Sequence, residues 1–211
     1  MQLHVLTKKL QSIKQQSRLD DLVHDLDMLD FDVLFTTVSG GSISKGVGIV
    51  LHNRLLQHIH GLSFHAYSDR ICALHFTFHN RRIHAFAVYF PTTWDTDEAV
   101  FQVYDIWDLL MQSSAREHAV PIIGGDFNAC LGAPMPQDDG ERLGSHGSGP
   151  RNHRGDMLAR WVLQHNLQIL NRSCPTPQPF DDWTCCRVAD RVRVQIDFLL
   201  SSPSIAVQDM W

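Results

Sequence analysis

The chain has no Cys-x-x-Cys pair and only five cysteines, at positions 72, 130, 174, 185 and 186. An odd, scattered set excludes a zinc ribbon and a paired disulfide framework, and points to free thiols in a reducing compartment. No apolar run nears the roughly 20 residues of a membrane span. The opening MQLHVLTKKLQSIKQQ is too polar for a signal peptide. These absences predict a soluble intracellular protein of the nucleus or cytoplasm with no membrane partner. Positive charge is also in short supply: 18 Lys+Arg stand against 23 Asp+Glu, a net charge of −5. That excludes a basic nucleic-acid coat protein but not a polyanionic substrate, which local charge decides. Internal repeats, low-complexity tracts and linkers are missing too, so the sequence reads as one domain over residues 1–211. That length suffices to bury about 70% of the unfolded surface.

What is present is unevenly placed. Residues 93–141 carry 10 acids and 1 base, whereas residues 142–193 carry 8 arginines and 4 acids. Two solvated faces would account for this; so would a phosphate-facing arginine cluster opposite an acidic, metal-attracting patch. Short strands are expected at 3–6, 32–38 and 46–51, and a helix over 19–29, where Leu19, Leu22, Val23, Leu26 and Leu29 recur at helical spacing. Alternation of Cys72, Leu74, Phe76 and Phe78, a turn at 79–82 and a return over 83–90 predict a hairpin. A long helix starting near Asp95 or Glu98 carries Val103, Ile106, Trp107 and Leu110. Val120–Ile123 predicts a buried strand broken by Gly124-Gly125, followed by a Gly/Pro/Asp-rich loop over 132–155. A helix with Met157, Leu158, Trp161 and Val162, a strand over 167–170, and a closing pair over 183–188 and 193–200 complete the order.

The most informative segment is Gly124-Gly-Asp-Phe-Asn-Ala129. Glycines at a strand end admit another backbone or a phosphate. In extended chain Asp126 and Asn128 would share a face, with Phe127 anchoring the other. Such a carboxylate can take a proton from water, and such an amide can donate to a phosphate oxygen. An Asx turn ending the strand is the competing reading. Tyr89, in Ala-Val-Tyr-Phe-Pro, and Asp197, in Gln-Ile-Asp-Phe-Leu-Leu, are polar residues among apolar strand neighbours. The buried acid requires a partner. Of the 13 histidines, His58 with His60 and His75 with His79 would share strand faces. No cysteine or carboxylate stands at ligand spacing to them, so solvated polar faces are expected rather than zinc.

GGDFNA at 124–129, VYFP at 88–91 and QIDFLLS at 195–201, in this order, resemble the endonuclease/exonuclease/phosphatase superfamily. The apurinic-endonuclease-like domain of non-LTR retroelements is the nearest flavour. DVLF at 32–35, GVGIVL at 46–51, Asn152-His-Arg-Gly155 and Trp183-Thr184 support it. The resemblance implies an α/β fold, a four-layer sandwich of two packed mixed sheets flanked by helices. It also implies Mg²⁺-dependent (or Mn²⁺-dependent) phosphodiester hydrolysis, with DNA or RNA as partner and a monomeric chain. By the same resemblance Asp126 activates water, Asn128 binds phosphate, Tyr89 stands beside the scissile phosphate, Asp197 orients a histidine, and Asn152 lines the nucleic-acid groove.

The pattern is not reproduced throughout. The family's first-strand asparagine aligns with Lys9, and its metal-binding glutamate with Val38. Its final Ser-Asp-His segment would fall after Trp211, so the sandwich is expected to be incomplete at the C-terminus and the metal ligands stay unassigned. Besides the retroelement endonuclease, two readings remain. One is a catalytically inactive copy that binds nucleic acid weakly through the arginines at 142–193. The other is a superfamily phosphatase acting on inositol phosphates or lipids.

Overall fold

A computed structural model of the chain describes residues 3–11, 26, 30–40, 44–92, 94–173, 184–186 and 193–204. Its strands follow from the β-branched and aromatic runs, which pack well on a pleated surface. β1 (Val5–Gln11), β2 (Val33–Gly40) and β3 (Ser44–Leu51) form a three-stranded sheet in that order, with β1 parallel and β3 antiparallel to β2. The second sheet has six strands: β4 (Ile59–Ala66), β5 (Ile71–Phe78), β6 (Arg81–Tyr89), β7 (Val120–Asp126), β11 (Asp197–Ser201) and β8 (Gln168–Ile169), in that spatial order. Only β6 and β7 run parallel there. Two residues each of β9 (Cys185–Cys186) and β10 (Arg193–Val194) make a separate antiparallel pair. Among the described residues, helices run over α1 (Asn53–Leu56), α2 (Asp97–Arg116), α3 (Gly140–Leu143) and α4 (His153–Gln164).

Strand alternation divides the large sheet between two cores. Phe86, Val88, Ile123, Phe198 and Leu200 face α2 and α4, where they meet Val103, Trp107, Leu158 and Trp161. Ala85, Ala87, Ile122 and Leu199 face the small sheet and meet Val33 and Phe35. Two packed mixed sheets with helices on the outer face of the larger one are the α/β sandwich expected. The helix predicted over 19–29 lies outside the described residues except for Leu26, which is helical. Among the described residues no helix is long and apolar enough to cross a membrane.

Helix α2 starts where Thr96 accepts from the Ala99 N–H, with Asp97 and Glu98 in the first turn and Arg116 in the last, each matched to the helix dipole. Asp108 ties it to α4, accepting from Trp161 Nε1 at 2.8 Å and lying 2.8 Å from His165 Nε2.

Several expectations need correction. Gly124-Gly125 does not break β7, which continues to Asp126. A Cβ on Gly124 would sit among the Phe35 ring atoms of the facing sheet, and one on Gly125 (φ +150°) against the Val88 carbonyl. The absent side chains serve sheet packing rather than phosphate approach. The loop over 132–155 contains α3, and its end is the first turn of α4. The expected strand over 193–200 is divided: Arg193–Val194 pairs with Cys185–Cys186, and β11 joins the main sheet beside β7, while 183 and 187–188 lie outside the described residues. The sequence reading also missed edge strand β4, whose apolar Leu62 and Phe64 are exposed.

Candidate functional site

One row crosses three neighbouring strands. Tyr89 at the end of β6 pairs with Asp126 at the end of β7, and Asp126 pairs with Asp197 at the start of β11. Residues paired in register project to one face. Alternation places all three on the face turned to the small sheet, in step with Ala87, Gly124 and Leu199. Tyr89, Asp126 and Asp197 are 4%, 0% and 4% exposed. The structure thus brings together three of the five residues singled out from the sequence.

Local hydrogen bonds fix the row. The Phe90 N–H donates to the Asp126 carbonyl and the Phe127 N–H to that of Ile196, each at 2.8 Å. On the helix side Phe127 lies against Phe90 and Phe198, with ring centroids 5.3 and 6.0 Å away. Thr184 Oγ1 accepts from the N–H groups of Ile196 and Asp197 at 3.0 and 3.1 Å. Asn171 grips β11 from the other side, donating to the Asp197 carbonyl and accepting from the Leu199 N–H, both at 3.0 Å.

Asn128 is placed differently from the expectation. It has left extended chain, with φ +47°, a left-handed conformation asparagine tolerates better than most residues. Its N–H donates to Asp126 Oδ1 at 3.0 Å, the Asx turn that was the competing reading. Its side-chain Nδ2 donates to the Phe90 carbonyl at 2.8 Å. Asn128 therefore shares no strand face with Asp126; it is hydrogen-bonded to that carboxylate and to the start of the loop after β6.

Asn152 is the N-cap of α4. Its Oδ1 accepts from the Gly155 N–H at 2.7 Å and from the Cys130 N–H at 3.1 Å, joining the helix to the segment after β7. Only its amide nitrogen is left to meet a groove. A residue missed from the sequence is Arg70, whose guanidinium carbon lies 5.6 Å from the centre of the Tyr89 ring. Nothing short of the hairpin register would have paired them.

The arginine-rich stretch is not a phosphate-facing cluster where it is described. Arg151 forms a two-pronged pair with Asp138 and donates to the Leu131 carbonyl at 2.8 Å. Arg154, 8% exposed, donates to the carbonyls of Pro91, Thr92 and Asp95. Arg172, 2% exposed, donates to those of Leu143 and Gly132. Each guanidinium satisfies loop carbonyls that burial would otherwise leave unbonded.

The histidines differ as well. His79 occupies the hairpin turn and His58 the turn after α1, so neither proposed pair shares a strand face. Instead His75 on β5 stacks on His84 of β6, with ring centroids 3.7 Å apart, and His65 adds a third ring 4.3 Å from His75. Burial, then the neighbouring His84 and His65, pushes the His75 imidazole down to about 4. Burial lowers His84 too.

Two carboxylates side by side are hard oxygen donors of the kind Mg²⁺ accepts, since it commonly takes one or two carboxylates with phosphate oxygens and water. Among the described residues no group of three or more His, Cys, Asp or Glu is placed to hold a metal. Asp126 and Asp197 are the carboxylates of the row that could contribute to holding such an ion. Val38 of β2, where the resemblance leads one to expect a metal-binding glutamate, is an aliphatic residue. Two open surface depressions, one beside Arg81, Arg82 and Arg116 and one beside Asp138, Arg151 and Arg160, include none of the row.

Neither a family sequence model nor a curated protein matches the chain. Solved structures do. The endonuclease domain of TRAS1, a telomere-specific non-LTR retrotransposon, is 13% identical over 94% of this chain and 85% of its own, with a TM-score of 0.55. The 3′ phosphatase NExo from Neisseria, bound to a product DNA hairpin, is 18% identical over 98% and 90%, with a TM-score of 0.59. D. rerio TDP2, complexed with a single-strand DNA product, is 11% identical over 97% and 86%, with a TM-score of 0.58. With a protein from Bacteroides thetaiotaomicron described as endonuclease/exonuclease/phosphatase family also matching at a TM-score of 0.57, the two-sheet sandwich carrying the Tyr89–Asp126–Asp197 row is the fold of the endonuclease/exonuclease/phosphatase family.

Proposed function

We propose that the chain is a metal-dependent phosphodiester hydrolase, a DNA endonuclease domain of the retroelement kind, acting at the end of the sandwich where Tyr89, Asp126 and Asp197 align. The observation that carries this reading is the row itself: two carboxylates and a phenol, distant in sequence, share one face across three strands. The likeness in fold to a retrotransposon endonuclease domain and to two proteins solved with product DNA supports it.

In this reading Asp126 accepts the proton of the attacking water, with its Oδ1 held by the Asn128 N–H. Asn128 has one amide hydrogen left for a phosphate oxygen, because the other goes to Phe90. The Tyr89 hydroxyl stands beside the phosphate, its ring steadied by Arg70. Asp197 is the second carboxylate of the site. Mg²⁺ bound there supplies positive charge against the phosphate and the leaving oxygen. Asn152 acts at one remove, setting the segment after β7 against α4.

The test is nicking of supercoiled plasmid by the purified chain with Mg²⁺, with Mn²⁺ and with chelator. Metal-dependent nicking that Asp126→Ala abolishes is expected; nicking by the variant at the parental rate overturns the assignment. A second reading, a non-catalytic copy, is favoured by Val38 and by a row that holds two carboxylates, with no third His, Cys, Asp or Glu grouped with them among the described residues. No cleavage of plasmid, of a 3′-phosphate hairpin or of inositol phosphates with either metal would select it.

A further inference from the structure

The loop that leaves the site carries the most exposed of the large hydrophobic side chains among the described residues. Trp94 is 94% exposed, against 66% for Leu109 and 64% for Phe64. It lies five positions beyond Tyr89, so even a fully extended chain would hold it within about 18 Å of that residue. That distance covers about five nucleotides of a strand at B-form spacing.

The loop is held in place by what surrounds its tip. Asp95 Oδ2 accepts from the Thr92 N–H at 2.7 Å and from its hydroxyl at 2.9 Å, and the Asp95 N–H returns to the Thr92 carbonyl at 3.0 Å. The buried Arg154 of α4 then donates to the carbonyls of Pro91, Thr92 and Asp95, on both sides of Trp94. Asn128, bonded to the site carboxylate, also binds the Phe90 carbonyl where the loop begins. An exposed indole costs favourable burial, and ordering a loop costs conformational entropy. Here a buried guanidinium fixes the backbone on which that indole stands in water.

We propose that Trp94 is a stacking platform for the base of an unpaired nucleotide flanking the phosphate held at the Tyr89–Asp126–Asp197 row. This rests on the hydrolase reading and names a substrate class for it: strands with a single-stranded or unpaired segment at the cleavage point. An indole face suits any base without reading its identity. Two of the acids beside the loop are held by their neighbours. Asp95 is turned back onto Thr92 by its hydrogen bonds, and Asp97 lies 3.8 Å from the Arg154 guanidinium.

The experiment measures fluorescence anisotropy of labelled single-stranded oligonucleotides in chelator, where no cleavage occurs, with parent, Trp94→Ala and Trp94→Phe. Trp94→Ala should weaken binding about 10-fold and Trp94→Phe by less than about 3-fold, since a ring remains. An abasic nucleotide walked along the strand should weaken parental binding at one position and leave Trp94→Ala unaffected there. Trp94→Ala binding as tightly as the parent overturns the platform and leaves the indole to a protein contact. A parent that binds the strand but never cleaves with metal removes the hydrolase reading while the stacking comparison still stands. A parent that binds no strand overturns the platform and leaves the hydrolase reading to the plasmid assay.

Discussion

Asp126 on β7 stands directly opposite Asp197 on β11, two buried acids on one face of adjacent strands. Two other acids of the fold are tied to arginines and main-chain groups. Asp32 receives Arg54 Nε at 2.7 Å and the His4 N–H at 2.8 Å, and Asp138 receives both prongs of Arg151. Those acids are built into loops and strand ends. The two in the row lie side by side and next to a phenol, at the ends of three neighbouring strands.

Replacing Asp126 by Asn tests the acid while sparing the fold. An amide keeps an oxygen for the Asn128 N–H but cannot take a proton from water. Single-turnover nicking should fall by at least about 100-fold, with a melting temperature near that of the parent. Asp197→Asn should also lose activity while its backbone ties to Thr184 and Asn171 persist, because those bonds use main-chain groups. Parental nicking rates in either variant would dismiss that residue from the site.

Gly124→Ala should separate the sheets without touching the row. The new Cβ would lie 2.2 Å from Phe35 Cδ2 and 2.9 Å from Phe35 Cβ, so the ring must move. Overpacking of this kind costs about 1–3 kcal/mol. Urea denaturation should show that loss, and Phe35→Leu in the same chain should recover part of it. Full stability in Gly124→Ala would mean the sheets do not pack through this glycine.

The motifs around Tyr89, Asp126 and Asp197 were legible in the sequence because polar residues among apolar strand neighbours stand out. Their register was not, since pairing between strands more than 30 residues apart leaves no local trace. Gly124 looked like a phosphate approach because Phe35, its real neighbour, is distant in sequence. Asn128 follows an apolar strand run that suits extended chain, yet its φ is +47°. The arginines at 151, 154 and 172 read as a surface patch because composition counts charge without its direction; all three turn inward to carbonyls. Strand β4 does alternate, but with its apolar Leu62 and Phe64 outward, so burial logic passed over it.

Arg154 separates positioning from chemistry. Arg154→Ala strips donors from three loop carbonyls and should cost roughly 2–4 kcal/mol. Arg154→Lys should recover little of it, because one ammonium cannot reproduce the fork that spans Pro91, Thr92 and Asp95. Single-strand affinity should fall in both variants as it does in Trp94→Ala, whereas Trp94→Ala leaves stability intact. A stable Arg154→Ala with parental affinity would show that the loop holds its shape unaided.

The stacked histidines set an acid limit on the fold. His75 faces His84 from β6 and His65 from β4, with Arg82 and Glu117 beside His84. Its imidazole is pushed from the ordinary 6.5 down to about 4, chiefly by burial. The unfolded chain therefore binds a proton there at a pH where the folded chain does not. Stability is fully present above about pH 6.5 and falls as pH drops from there toward 4. Glu117, 3.6 Å from His84 Nε2, works in the opposite direction on that neighbour and softens the decline. His75→Phe keeps a ring against His84 and removes the proton site, so urea midpoints measured between pH 4 and 7 should flatten relative to the parent. An unchanged slope in that variant would assign the acid sensitivity to other groups.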